Sequence, residues 1–333
     1  LERYVLGEPE RIQSKLAAEP VLRMHTLSLV ASRFCTSMEG LLEFFSKTFY
    51  AHQYGEMQGV EAKIRDVVQQ LRDYEFIEED ELKPTGIGKR VSELYIDPDS
   101  ANLMMESLEQ AVEKDTKPVS YLYMLSRTTE MQPRPRVKDS EWSDIEQALL
   151  DAQEYLLEDI PPEWEPDYEI AMESMKNSLV MQGWISEVDE EKLMNKYGVA
   201  PGGIRSKMRN ADWLLYGAKE LARMKDSKNS KSSSNNQKTS EKFSAVEKDL
   251  EKLRLRLKHG IKEELLNLVS YDQIGRVRAR KLYKQGIRNQ EEIREVSFEK
   301  LKSLIGKRTA ETLKKQVGQD NIFDRENIMD YFE

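Results

Sequence analysis

Apolar residues recur at helical spacing along most of the chain. In "VEAKIRDVVQQLRDYEFI", Ile64, Val67, Val68 and Leu71 fall on one face of a helix, and "LLEFFSKTFYAH" before it has the same spacing. The period then changes. "FIEEDELKPTGIGKRVSELYI" reads as a polar turn between two short extended runs, so helix, helix and small hairpin follow one another as in a winged helix. From Pro98 to about Gly260 the pattern is almost wholly helical. Its breaks fall at Pro118, at "PRP" (133 to 135), at "PPEWEP" (161 to 166) and at "APGG" (200 to 203), which predicts a helical bundle. "DSKNSKSSSNNQKTSEK", residues 226 to 242, is too polar to bury a core and is expected to loop out flexibly between two helices. A helix around Val246 to Leu257 leads into a final unit of glycine-punctuated basic turns. The fold expected is mainly α: a connecting helix and winged helix over 1–98, a multi-helix bundle over 99–260, a helix-hairpin-helix unit over 261–318 and a tail over 319–333.

At 333 residues the chain exceeds one compact helical core, and two or three domains are expected. The opening Leu1 leads us to expect a segment of a longer polypeptide. The sequence shows no run of about 18 apolar residues and no signal-peptide pattern, so a cytoplasmic setting without membrane partners is expected. Cys35 excludes an internal disulfide framework, and His25, His52 and His259 are too scattered to suggest a metal site. "GIGK" fails as a phosphate loop: a Walker motif needs G-x-x-x-x-G-K-[ST], and Lys83 and Arg90 occupy its first and last positions. No cofactor is therefore expected in this chain.

Charge redirects attention to the C-terminal unit. The chain carries a net charge of -9, yet residues 272 to 315 hold 13 basic and 6 acidic residues, a local +7. Binding to nucleic acid depends on the local field and not on the total. Between Asp139 and Glu173, by contrast, stand 13 acidic residues and no Lys or Arg; Trp142, Ile145, Leu149, Ala152 and Leu156 run through them as a helical stripe, which marks a solvated helix face.

Within the basic unit, "DQIGRVRARKLYKQGI" reads as helix, tight turn, helix. A glycine turn of this kind exposes backbone N–H groups at a helix N-terminus to a DNA phosphate, here at Gly275, with Arg276, Arg278, Arg280 and Lys281 clamping the neighbouring backbone. Gln273 stands where such a hairpin normally has its first glycine. A second copy, "LKSLIGKRTAETLKK" (Leu301 to Lys315), adds Lys307 and Arg308. Upstream, in "APGGIRSKMRNADWLLYGAKELARM", Ile204, Met208, Ala211, Leu215, Ala218 and Ala222 form a core face, while Trp213 lies nearly opposite, in line with Ser206 and beside Arg205 and Arg209. Base stacking and burial under another module both account for such a tryptophan.

Several segments in order, "GEPERIQSKLAAEPVLRMHTLSLVAS", "FFSKTFYAHQ", "PTGIGKRVSELYIDPDSA", "GVAPGGIRSKMRNADWLLYGAKELA" and "HGIKEELLNLV" with "IGRVRARKLY", resemble the C-terminal part of archaeal superfamily-two DNA repair helicases of the Hjm type, related to eukaryotic HelQ. The resemblance covers the chain except the Ser/Asn-rich insertion and the last dozen residues. It implies that two RecA-like motor domains, with their ATP and magnesium, belong with a winged helix, a seven-helix ratchet bundle and a small helix-loop-helix domain, of which only the last three are present here. It further implies a role in repair or restart of stalled forks, translocation 3′ to 5′ on single-stranded or forked DNA, and a terminal domain that grips the 3′ tail. The family's ratchet helix offers an Arg and a Trp two turns apart. Trp213 matches the Trp, but Ser206 stands two turns before it, leaving Arg205 and Arg209 as candidates for the arginine. The tail resembles a sliding-clamp box through Ile328, Tyr331 and Phe332, although Arg325 occupies the usual glutamine position; a clamp or single-strand-binding protein is the further partner expected. A stand-alone DNA-binding or scaffold protein, and an accessory region of a spliceosomal-type RNA helicase, are the competing readings.

Overall fold

The computed structural model describes residues 12–55, 57–229 and 236–318, and the chain forms two compact units, Leu1–Asn102 and Leu103–Glu333. In the first unit, α1 (Glu19–Ala31), α2 (Met38–Ser46), α3 (Phe49–Tyr54), α4 (Met57–Asp73) and α5 (Gly86–Leu94) precede the start of α6 (Pro98–Ala111). The stripe Ile64, Val67, Val68 and Leu71 is buried, as its spacing predicts, and α1 packs on α4 and α5. One buried charge pair locks this arrangement: the Arg23 guanidinium donates to both Asp97 oxygens at 3.2 and 3.0 Å. Burial of the guanidinium opposes its charge, but bonding to Asp97 outweighs that and raises its pKa.

The expected hairpin is corrected here. Of the two extended runs only an isolated bridge, Ile77 with Pro84, appears among the described residues, and Gly86–Leu94 is helical. Helical spacing prevails because Ile87, Val91 and Leu94 bury together, while the Thr85 hydroxyl caps the helix by accepting from the Gly88 N–H at 3.0 Å. The glycine in "GIGK" serves packing. A Cβ at Gly88 would stand 1.9 Å from the Phe76 carbonyl oxygen, so only glycine lets α5 lie against that backbone.

The second unit contains α7 (Pro118–Arg127), α8 (Trp142–Ala152), α9 (Pro166–Ile185), α10 (Glu190–Tyr197), α11 (Pro201–Asn229), α12 (Asn236–His259), α13 (Leu266–Val269), α14 (Arg276–Lys284), α15 (Gln290–Glu295), α16 (Phe298–Ile305) and α17 (Lys307–Gly318). Helix α9 packs against α7, α8, α10, α11 and α12, and its buried residues run from Tyr168 to Ile185 around its circumference. Two polar groups inside this bundle are paired to Ser126, whose hydroxyl accepts from the Asn177 amide at 3.0 Å and from the Ser178 hydroxyl at 3.2 Å. Helix α8 buries Ile145, Leu149 and Ala152 as expected, but Trp142 turns outward against the Tyr168 ring. The insertion expected over 226–242 is also narrower than its composition suggests, because α11 continues to Asn229 and α12 begins at Asn236. The last four helices and α13 close around their own core, which includes Ile274, Leu282, Leu301 and Leu313.

Gly88→Ala should cost about 1–3 kcal/mol, as overpacking against backbone does, whereas Gly40→Ala, whose Cβ would meet nothing closer than the Ser37 hydroxyl at 3.5 Å, should be neutral or slightly stabilising. Urea denaturation of both variants checks this; equal midpoints would show that α5 does not need its close approach to Phe76.

Candidate nucleic-acid interface

Two surfaces of the second unit carry the residues singled out by sequence. On α11, Ile204, Met208, Ala211, Leu215, Ala218 and Ala222 are buried, so the opposite side faces outward. Arg205, Ser206 and Arg209 are exposed there, and Trp213 is half-buried, less open than its position on the helical wheel suggests. Arg205, 74% exposed, reaches Glu190 only at 3.4 Å; Arg209 makes no ion pair or hydrogen bond with its side chain among the described residues. Next to Trp213 stands an aromatic the sequence reading missed. Tyr216 is exposed, the Arg254 guanidinium of α12 lies 5.3 Å from its ring centre, and Asp212 holds that guanidinium at 2.8 Å. The i,i+3 spacing of Trp213 and Tyr216 is visible in sequence; the approach of Arg254 from another helix is not.

The second surface is the tandem of basic turns. The first turn keeps its geometry without the usual glycine, because Gln273 itself adopts the left-handed conformation at φ 63°. Two contacts brace it: the Arg278 guanidinium donates to the Gln273 carbonyl at 2.7 Å, and Gln316 of α17 exchanges hydrogen bonds with Asp272. Gly275 then begins α14 at the surface with Val277 67% exposed beside it. The second turn pivots on Gly306 at φ 86° and begins α17. Gly275, Arg278, Lys281, Lys307 and Arg308 are all exposed, so the N-termini of α14 and α17 emerge among exposed cations.

Arg276 and Arg280 are placed differently from the expected clamp. Arg280 donates to both Glu187 oxygens, at 2.7 and 2.6 Å, and to Glu264 at 2.9 Å. Arg276 lies over the Trp184 ring at 5.3 Å, with Asp189 at 3.9 Å. Both turn inward against the end of α9 and fix the hairpin unit to the bundle. The Trp184 indole N–H donates to the Leu257 carbonyl at 2.7 Å, and Gly260, at φ 64°, passes so near that a Cβ would stand 2.7 Å from the ring. Burial pushes the Glu187 carboxyl up, but bonds from Arg280 and from the Lys262 N–H hold it below the usual carboxylate range. Its contribution to stability is therefore complete above about pH 4.3 and is lost as pH falls through the lowered folded value.

The clamp-box residues Ile328, Tyr331 and Phe332 lie outside the described residues. Among the described residues no group of three or more His, Cys, Asp and Glu could hold a metal ion, and no helix is long and apolar enough to cross a membrane.

Arg280→Ala should lower stability by about 2–3 kcal/mol, because it leaves Glu187 half-buried without its charge partner, and should flatten the acid limb of the stability profile below about pH 5. Thermal melts across pH check both effects; a parent-like acid limb in this variant would remove Glu187 as its source.

Residues 119–260 match the family described as archaeal helicase, domain 4, and residues 263–318 match the SAM-like helix-hairpin-helix tandem. Among curated proteins, the chain is 34% identical over 343 residues to the ATP-dependent DNA helicase Hel308 of Pyrococcus horikoshii, covering 100% of this chain and 45% of that protein. It is 36% identical over 314 residues to the Hel308 of Methanocaldococcus jannaschii, covering 93% of this chain and 23% of that protein. To the Hel308 of Thermoplasma volcanium it is 32% identical over 308 residues, covering 92% and 40%. The chain thus spans less than half the length of these relatives. Two family matches side by side, on the bundle that carries α11 and on the tandem hairpin, together with relatives aligned along the whole sequence, place the chain in the family of archaeal superfamily-two DNA helicases of the Hjm type, as a match to its C-terminal region.

Proposed function

We propose that this chain is the strand-handling portion of an ATP-dependent 3′ to 5′ DNA helicase acting in repair or restart of stalled forks. ATP and magnesium belong to RecA-like motor domains outside this sequence. The observation that carries the reading is α11: a helix sealed to its bundle on one face, with a half-buried indole beside two exposed arginines on the other, inside the region that matches archaeal helicase domain 4. An aromatic ring flanked by cations accepts a base on its face and phosphates beside it, without reading sequence. Arg209 is the arginine best suited to the pairing role, since Arg205 is drawn toward Glu190. The tandem hairpin serves as a second grip on the strand, through the N–H groups after Gly275 and Gly306 and through Arg278, Lys281, Lys307 and Arg308. A sliding clamp or single-strand-binding protein is a further partner for the tail segment.

Trp213→Ala should weaken single-stranded DNA binding by roughly 1–3 kcal/mol while costing at most about 2 kcal/mol of stability, less than the 3–5 of a fully buried ring. Fluorescence titration beside a thermal melt separates the two; a large stability loss with unchanged affinity would make Trp213 a core residue. Arg278→Ala and Lys281→Ala should each lower the log-log salt slope of binding by about 0.7, the value for one phosphate contact on a single strand. Parent slopes in both variants would leave these cations as solvated surface.

A further inference from the structure

We propose that Arg136 and Lys138, in the segment joining α7 to α8, form a second phosphate-binding rim along the strand path of α11. The proposal rests on the reading of α11 given above and extends it to a segment that the resemblance does not single out. The segment "TEMQPRPRVK", 129–138, is one turn of 3-10 helix, Thr129–Met131, followed by irregular backbone, and its carbonyls are tied down from several directions. Asn210 of α11 donates to the Glu130 carbonyl at 2.8 Å, and Lys207 of α11 donates to those of Met131 at 3.4 Å and Pro133 at 3.0 Å. Lys176 of α9, almost fully buried, donates to the Arg136 carbonyl at 2.8 Å. Arg134 folds back to donate to the Ser126 carbonyl at 2.6 Å and the Thr128 carbonyl at 3.2 Å. Donors from two other helices and from the segment itself therefore fix its backbone, and what it shows to solvent is held in place.

What it shows to solvent is positive charge. Arg136 is exposed and its side chain makes no hydrogen bond or ion pair among the described residues. Lys138 is exposed as well, with its ammonium beside Gly198, the residue that ends α10 just before α11 begins. Beneath them cations crowd one another. Burial and then the neighbouring Arg127 lower the pKa of Arg134, and burial and then Arg134 lower that of Lys207, although Glu158 and Glu173 stand near Arg134.

Position on the wheel supplies the path. At about 100° per residue, Asn210 and Lys207 lie about 60° and 120° to one side of Trp213, while Arg209 and Arg205 lie about 40° and 80° to the other. The anchored segment thus borders the Trp213 and Ser206 stripe on one flank as the two arginines border it on the other, and it runs on toward the N-terminal end of α11 at Lys138. A strand stacked on Trp213 and leaving along this stripe passes between two cationic rims, which suits a phosphodiester chain and no neutral ligand.

The test is salt-dependent binding of an oligothymidylate of about 16 nucleotides to the full chain and to Arg136→Ala/Lys138→Ala. Neither side chain supports the segment, so the melting temperature should be unchanged, the affinity should fall roughly tenfold, and the log-log salt slope should fall by about 1.4, two single-strand contacts. An unchanged slope while Trp213→Ala still weakens binding overturns the rim and leaves the reading of α11 standing. An unchanged slope with Trp213→Ala also without effect overturns both. A reduced slope with Trp213→Ala without effect supports the rim and removes the stacking platform.

Discussion

Helix α9 is enclosed by its neighbours from Ala171 onward, and the rest of the second unit takes its positions from that burial. Polar groups on a helix in such a place cost free energy unless paired, and those that pair fix the element that supplies the partner, although the Asn177 side-chain oxygen finds none among the described residues. Asn177 and Ser178 bind Ser126 of α7. Lys176, a buried cation, bonds to Glu141 at 2.6 Å and to the Arg136 carbonyl, and so places the segment before α8. Just past its end, Trp184 and Glu187 receive Arg276 and Arg280 of α14. One enclosed helix thereby sets the bundle, the basic segment and the hairpin unit against each other.

That constraint divides the basic residues into two classes which look alike in sequence. Arg276 and Arg280 belong to "RVRARK" as fully as Arg278 and Lys281 do, but on a helix positions four apart share a face while Arg278, two residues from each, points the opposite way. Arg276 and Arg280 share one face and meet α9; Arg278 and Lys281 turn away from it. The local excess of positive charge is therefore smaller at the surface than the count over residues 272 to 315 implies, and what remains is concentrated near the N-terminal ends of α14 and α17. Fewer free cations at fixed positions give a more selective geometry for a strand than a larger mobile set, because each retained contact costs less side-chain entropy.

Periodicity made most of this fold legible. The core faces of α4, α8 and α11 follow from single stripes such as Ile204, Met208 and Ala211, since a period of 3.6 leaves little freedom about which side is buried. The "GIGKRVSEL" run escaped the same logic because it follows a polar turn and reads as the second of two short extended runs, whereas the deciding fact was the space beside Phe76. Arg280 was legible as basic but not as paired, because Glu187 lies 93 residues away and no local pattern announces it. Gln273 shows the opposite failure: the hairpin turn persists where its glycine is missing, held by Arg278 and Gln316. The enclosing of Trp213 to a half-buried state likewise depends on neighbours from outside α11 and has no signature within it.

The pairing of α11 with α12 explains why a strand would be handled from this helix and not from a loop. The two helices share the most extensive contact of any pair of elements among the described residues. Cross-links at the margins, Lys219 to Glu251 at 2.9 Å and Arg223 to Glu247 at 2.7 Å, oppose sliding of one helix along the other. An aromatic platform on such a pair moves only if the whole bundle moves. If a base stacks there as proposed, it would follow any displacement of the bundle, and a motor shifting the bundle by one step would pass that step to the strand without loss in a flexible linker. Side chains on a mobile loop would relax toward the old position instead. Under the proposed function, the face of α11, bordered by the segment 129–138 on one side and by α10 on the other, would suit conversion of domain movement into strand movement.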